Sequence, residues 1–286
     1  MQQNSILLLL ILLLLILLLG ITLAVWLRGR SPKARPMNAN VFHLVASALF
    51  VAISVILAQF RFYIPLFGFP SVRFSISEVP IFLAGSLFGP IYGAMVGFAS
   101  DIISFILASS GAYHFGFTLN AMLVGFIPGV VFYLIRKKQV SIAFDKMNKI
   151  LAGVALIGAL IYINFIGIYE LDEVITIMGM PINIVLSILM IVLVIALSFV
   201  VVKLKKIYSN HEGFYSIDKL IFIACINYIA INLMLTPIWL LQLYNIPMVA
   251  SISVRIFKSL IDVPLQVIVI YSIIHAIPRS VRERWS

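Results

Sequence analysis

Nine stretches of this chain are apolar over the length of a membrane helix or close to it, and little sequence is left between them. They are Ser5–Leu27, Ala39–Phe60, Glu78–Phe88, Ile91–Leu107, Phe117–Ile135, Ile150–Tyr169, Pro181–Val202, Lys219–Leu243 and Met248–Ile277. A spanning helix needs roughly 20 apolar residues to cross a hydrocarbon core about 30 Å thick. Backbone polar groups inside a bilayer must be satisfied within their own segment, so runs of this length are read as helices. Of the 286 residues, 63% are hydrophobic and 10% charged. A water-soluble surface cannot be built from so few charges. This excludes a soluble enzyme, a nucleic-acid-binding module and a disordered tail. The single cysteine, Cys225, cannot form an internal disulfide.

The first run, LLLLILLLLILLLG, is longer than a signal-peptide core, has no positive start and ends in Trp26 followed by RGRSPKAR. It is expected to be an uncleaved anchor. Gly89-Pro90 splits two short apolar runs, which predicts a tight helical hairpin. RFYIPLFGFPSVRFSIS, broken by Pro65, Gly68 and Pro70, reads as an aromatic loop, and ASSGAYHFG as a second loop.

Cytoplasmic loops of membrane proteins collect Lys and Arg. Placing the basic cluster after the first run inside, and alternating from there, puts all 20 basic residues in the cytoplasm except Arg61, Arg73, Arg255 and Lys258. The expected topology has the N-terminus outside and the C-terminus in the cytoplasm of a multi-pass cell-membrane protein.

The four exceptions call for a different explanation. Arg61 and Arg73 bracket the aromatic loop. Arg255 and Lys258 lie three apart in the last run, on one helix face. An ionisable group at membrane depth costs at least ~2.5 kcal/mol on insertion scales and marks a functional site by default. Asp262, four residues beyond Lys258, is a possible internal partner for it, whereas Arg255 has no local acid. Around these cations the two loops supply Phe60, Phe62, Tyr63, Phe67, Phe69, Phe74, Tyr113, Phe115 and Phe117. Rings and cations together suit a planar, carboxylate-bearing small molecule, through stacking and charge-assisted hydrogen bonds. His114 adds a hydrogen-bonding group to the second loop.

No G-x-x-x-x-G-K-[ST] is present to bind ATP, and neither H-E-x-x-H nor paired cysteines are present to bind a metal. No nucleophile–base constellation stands out, so neither a catalytic residue nor a cofactor is assigned.

SVRFSISEVPIFLAGSLFGPIYGAMVGFASDIISFILASSGAYHFGFTLNAMLVGFIPGV and RIFKSLIDVPLQVIVIY together resemble the S component of an energy-coupling-factor (ECF) transporter, folate family. The matching pieces include Pro80, Phe88-Gly89-Pro90, Gly93, Gly97, Asp101, Ser110 to Tyr113, Gly116 to Leu119, Arg255, Lys258 and Pro264. The resemblance implies an all-α integral membrane protein: a six-helix S-component bundle, here with about three extra transmembrane helices. It divides the chain into an anchor and basic linker (1–36), helices 1–4 (37–138), an inserted helix pair (139–210), and helices 5–6 with a basic tail (211–286).

The implied function is capture of a vitamin, folate first, from outside. Delivery inward would follow with a transmembrane coupling protein and two ATPase subunits. Membrane lipid is the remaining partner, with no nucleic acid. Arg73, Arg255 and Lys258 are expected to meet ligand carboxylates or polar ring edges. Tyr63, Tyr113 and Phe117 would pack on its rings, with His114 beside them. Asn120, Asn232 and Trp239 are placed near the ligand by their predicted facing. Ala48 and Ala52, a small-x-x-x-small pair that permits close helix approach, are expected to contact the coupling protein. His114 stands where the family would carry an apolar residue or Phe, which keeps the exact vitamin open. An S component for another vitamin, a membrane enzyme acting on lipid, and a structural subunit are the alternatives. The enzyme would need paired acids at one interface, and the structural subunit would need all four cations paired internally.

Overall fold

The computed structural model describes residues 41–60, 62–66, 69–74, 76–108, 112–138, 144–161, 214–246 and 248–276, with isolated positions between 164 and 195. Helix α1 (Val41–Gln59) leads into a hairpin of β1 (Phe62–Leu66) and β2 (Phe69–Phe74). Then follow α2 (Glu78–Phe88), α3 (Pro90–Leu107), α4 (Phe115–Lys138) and α5 (Phe144–Ile161). Helix α6 (Ile217–Tyr244) contains a π-helical segment, Ile229–Leu235. Helix α7 (Met248–Ala276) closes the described chain. α1, α3, α4 and α6 are each long and apolar enough to cross a membrane, and α2 is a shorter apolar helix. The protein is a multi-pass helical membrane bundle, as its apolar runs require. The first run, 5–27, lies outside the described residues, as does the acidic turn at 170–173.

The aromatic loop proves to be a hairpin. Phe62 pairs with Phe74, Tyr63 with Arg73 and Ile64 with Val72, and the register slips between Ile64 and Leu66. Pro65 sits at that slip. It has no N–H to give the ladder, which is why a proline reads as a breaker and yet is tolerated at a bulge. The expected span at 150–169 also begins earlier, at Phe144. Asp145 lies in the first turn of α5 and pairs with Lys149 at 2.7 Å, so the polar prelude is helical too. Of its partner run at 181–202, Ile184, Ser187, Ile188, Ile191, Val192, Val194 and Ile195 are helical. Asn164 donates to the Ser187 hydroxyl at 3.0 Å, tying the two runs together.

Gly89 ends α2 with φ of 101° and hands the chain to Pro90 at the first turn of α3. Only glycine takes that φ cheaply, and proline suits a helix start. The turn folds α3 back beside α2, and α4 joins them along a glycine seam. A Cβ on Gly85 would lie 1.9 Å from the Gly125 carbonyl oxygen, and one on Gly97 2.0 Å from that of Ala121. Backbone therefore rests on backbone, the close approach small residues permit between membrane helices.

Two prolines interrupt helices, and each leaves a visible consequence. Pro128, inside α4, cannot donate to the Val124 carbonyl four residues earlier. Asn227 of α6 does so instead, at 3.2 Å. Pro264 does the same to position 260 of α7, and the helix bends there by 43° between Ser251–Ser259 and Ile261–Ala276.

The hydrophobic core fills the end of the bundle that holds Gly89. Phe82, Phe132, Leu220, Ile223, Ile270 and Ile274 are fully or almost fully buried in it. Most of the buried polar side chains, among them Ser54, Thr118, Asn120, Thr236, Ser251 and Arg255, lie toward the other end, beside the hairpin.

Candidate functional site

The first turn of α4 and the last turns of α6 meet at the hairpin end. Gly116 lets them approach: a Cβ there would lie 2.4 Å from the Trp239 ring. The indole thus lies on the α4 backbone. Its Nε1–H donates to Asn120 Oδ1 at 3.1 Å, and Asn120 Nδ2 donates to Thr236 Oγ1 at 3.1 Å. The Thr236 hydroxyl donates in turn to the Ile231 carbonyl at 2.8 Å, inside the π-helical segment. Asn120 is buried, with a hydrogen bond at each end of its amide, and so orients Trp239.

The His114 ring lies 5.4 Å from that of Trp239 and 6.0 Å, edge-on, from that of Phe117. Gly116 N–H donates to His114 Nδ1 at 3.1 Å. That assigns the neutral imidazole's proton to Nε2, leaving it a donor. His114, Phe117, Asn120 and Trp239 thus form one braced aromatic group, although 119 residues separate Asn120 from Trp239.

Tyr113 belongs to a second group. The Thr118 hydroxyl donates to Asp101 Oδ2 at 2.8 Å, so its oxygen accepts from the Tyr113 hydroxyl, also at 2.8 Å. The Tyr113 ring packs edge-on against Phe105 at 5.1 Å. This group clasps the loop before α4 onto α3.

Arg255 is 9% exposed. Its Nη1 donates to the Ser251 carbonyl at 3.2 Å and the Ser251 hydroxyl at 2.8 Å. Its own carbonyl accepts from the Tyr228 hydroxyl of α6 at 2.9 Å. Nε is buried without a hydrogen bond, and among the described residues no carboxylate pairs with the guanidinium. Lys258 differs: it meets Asp262 at 2.7 Å, with 14% and 22% side-chain exposure. Asp262 therefore neutralises Lys258.

Tyr63 and Arg73 occupy directly paired positions of the hairpin, and β2 lies against α7, the helix that carries Arg255. Asn232 is half-buried in the π-helical segment. Ala48 and Ala52 are exposed on α1, on the face with Leu44, Val45, Leu49, Ile53 and Ile56. Ser47, Ser54, Val55 and Ala58 point into the bundle.

Four supporting residues escape a reading of the sequence. Ser251 has a local signal, its i, i+4 spacing from Arg255. Tyr228, Thr236 and Thr118 act across helices, and nothing local distinguishes them from other polar residues in apolar runs.

The family described as ECF transporter, substrate-specific component, matches residues 42–171. Over 92 residues the chain is 34% identical to the folate transporter FolT of Clostridium novyi, a match spanning 32% of this chain and 49% of that protein. Over 114 residues it is 28% identical to an uncharacterized protein of Mycoplasma pneumoniae, spanning 36% of this chain and 22% of that one. A crystal structure of FolT bound with folic acid aligns at a TM-score of 0.45 and 18% identity, covering 81% of this chain and 93% of that chain. The matches span about half of the first curated relative's length and about a fifth of the second's.

Proposed function

We propose, for a chain whose residues 42–171 match the substrate-specific component of an ECF transporter, that it is the membrane subunit that captures folate or a closely related vitamin. The likeness to a folate transporter supports the vitamin. One observation carries the reading: the Arg255 guanidinium is buried at the hairpin end of a membrane helix with no carboxylate beside it among the described residues. An isolated charge there is costly and calls for an anionic partner from elsewhere. The rings of His114, Phe117 and Trp239 offer a platform for a flat heterocycle, and Tyr63 and Arg73 stand on the strand pair next to α7. Asn120 is assigned the role of holding Trp239, and Lys258 that of positioning charge through Asp262.

In this reading the hairpin end faces outward, the N-terminus lies outside and the C-terminus in the cytoplasm, as the distribution of Lys and Arg favours. Residues 37–138 and 211–286 form the six-helix S component, 1–36 an anchor and linker, and 139–210 an insertion. With no nucleotide-binding loop in the sequence, the chain depends on a transmembrane coupling protein and two ATPases for inward delivery. The exposed Ala48 and Ala52 are the contact proposed for the coupling protein.

Purified protein should bind folate or a reduced folate. If neither binds below about 10 μM, roughly −7 kcal/mol, the vitamin assignment fails. Leucine at both Ala48 and Ala52 should leave that affinity unchanged and abolish co-purification with the coupling protein and ATPases. Unchanged co-purification would remove the alanines from the interface.

A further inference from the structure

At the end of the bundle opposite the hairpin, cations from two different helices converge on one ring. Tyr215, just before α6, is buried, and its hydroxyl donates to the Ser86 carbonyl of α2 at 3.3 Å. The Phe214 ring packs against Tyr215 at 4.9 Å and against Phe132 of α4 at 5.6 Å, which holds it at the rim of the core. Over that ring stand the Arg136 guanidinium of α4, 5.4 Å from its centroid, and the Lys219 ammonium of α6, 5.6 Å from it. Lys219 also donates to the Phe214 carbonyl at 3.1 Å. Arg136 is exposed and Lys219 half-buried.

The preference of cytoplasmic loops for Lys and Arg accounts for basic residues at this end, but not for two of them on one ring. Like charges held together repel, and more strongly beside a low-dielectric medium. The ring attracts each cation through its quadrupole and does nothing for their mutual repulsion. Helix polarity does not explain Lys219 either, since it lies in the first turn of α6, where a cation is disfavoured. The carboxylates at this end, among the described residues, are those of Asp145, which pairs with Lys149 at 2.7 Å, and Asp218, beside Lys219. Even with Asp218 set against them, Arg136 and Lys219 leave a positive charge at the ring.

The position of the ring says where an anion would come from. It lies at the ends of membrane-spanning helices, the level of lipid headgroups. α5 starts alongside α6, with Asn148 Nδ2 donating to the Asp218 carbonyl at 2.8 Å, and along its next turns Ile150 and Val154 are exposed. Cations at the rim with exposed aliphatic side chains next to them match a phosphate carried on acyl chains. A soluble phosphate or an acidic peptide would use only the cations. We propose that Arg136 and Lys219, held on Phe214, form a binding site for the headgroup of an anionic phospholipid. The site is distinct from the group at the hairpin end and does not depend on the vitamin.

The test uses the full-length protein in neutral detergent at about 0.15 M salt, where exposed charges more than ~8 Å apart are largely screened. Phosphatidylglycerol, phosphatidylcholine and glycerol phosphate are titrated in turn. Binding is read as adducts in native mass spectrometry and as a rise in melting temperature. The wild type should bind phosphatidylglycerol about tenfold or more tightly than phosphatidylcholine. Glycerol phosphate at the same concentration should give no rise. Arg136→Gln combined with Lys219→Gln should lose about tenfold or more of the phosphatidylglycerol affinity. Lys146→Gln combined with Lys149→Gln removes the same charge from the same end but off the ring, and should lose less than about threefold. If the first pair fails to fold, Arg136→Gln alone is read against Lys146→Gln alone, with about a fivefold loss expected only for the former. Equal losses on and off the ring would mean a diffuse positive end and overturn the site. Equal binding of the two lipids overturns it too, and equal stabilisation by glycerol phosphate would make it a site for a soluble anion instead.

Discussion

Gly125 of α4 should be the position where the smallest substitution does the most damage. A methyl group there would lie 2.2 Å from the Gly93 carbonyl oxygen and 2.4 Å from its carbon. An ordinary carbon–oxygen contact between helices is about 3.3–3.6 Å, so α3 and α4 must part by about 1 Å. Such a gap forfeits roughly a quarter to a half of each dispersion contact, itself worth ~0.1–0.2 kcal/mol. Over roughly thirty atom pairs in the seam that is about 1–3 kcal/mol. The Gly125 oxygen also lies where a Cβ on Gly85 would come within 1.9 Å, so α4 cannot retreat from α3 without disturbing α2. Alanine returns about 1 kcal/mol through its higher helix propensity. The net cost expected for Gly125→Ala is about 1 kcal/mol, at the low end for overpacking. Gly153 of α5 is the control: a Cβ there meets nothing within 4 Å, so only the propensity gain remains. Thermal unfolding in detergent, followed as loss of the monodisperse peak, should place Gly125→Ala roughly 2–4 °C below wild type and Gly153→Ala at or slightly above it. Equal shifts for the two, or a Gly125→Ala protein as stable as wild type, would refute the backbone-contact reasoning.

Asn120→Ala orphans the Trp239 indole and removes the donor to Thr236, and should cost about 1–2 kcal/mol at the modest worth of interhelical hydrogen bonds in membranes. Adding Trp239→Phe should then cost little more, and strictly additive losses in a double-mutant cycle would show the pair to be uncoupled. Lys258→Met and Asp262→Leu should each destabilise by about 1–3 kcal/mol, because each strands a partly buried charge. Combining them should recover most of the loss in the same melting assay. A double variant as unstable as the sum would mean that the pair stabilises in its own right.

The spans were legible because the bilayer dictates their length, and Gly89-Pro90 was legible because those two residues have distinct backbone preferences. The hairpin was not. Pro65, Gly68 and Pro70 all argue locally against a strand, and only pairing across the turn, with a slip at Pro65, makes one. The π-helical segment of α6 hides in CINYIAINLMLTP, where an extra residue per turn leaves no trace in hydrophobicity. The site shows the same division. Lys258 and Asp262 are four apart on a helix, so their pairing could be anticipated. The Asn120–Trp239 bond joins α4 to the far end of α6, 119 positions along the chain, and no local pattern points to it. Asn120 was legible only by its facing, and its two bonds to Thr236 and Trp239 were not.

The pair of apolar runs at 150–169 and 181–202 has a physical consequence for this site. Leu156 of α5 and Val194 of the following run pack with Leu233, Ile252 and Phe257 around Ile256, the residue after Arg255. Leu233 lies in the π-helical segment. Irregular backbone and buried charge are tolerated at membrane depth only where protein or a water-filled space surrounds them. That flank of α6 and α7 needs such a cover. The pair covers it with apolar side chains while presenting Ile150, Val154, Ile157 and Ile161 outward. The pair thus adds wall beside Ile256, the neighbour of Arg255. It leaves the flank of α1, with Ala48 and Ala52, uncovered by any described residue.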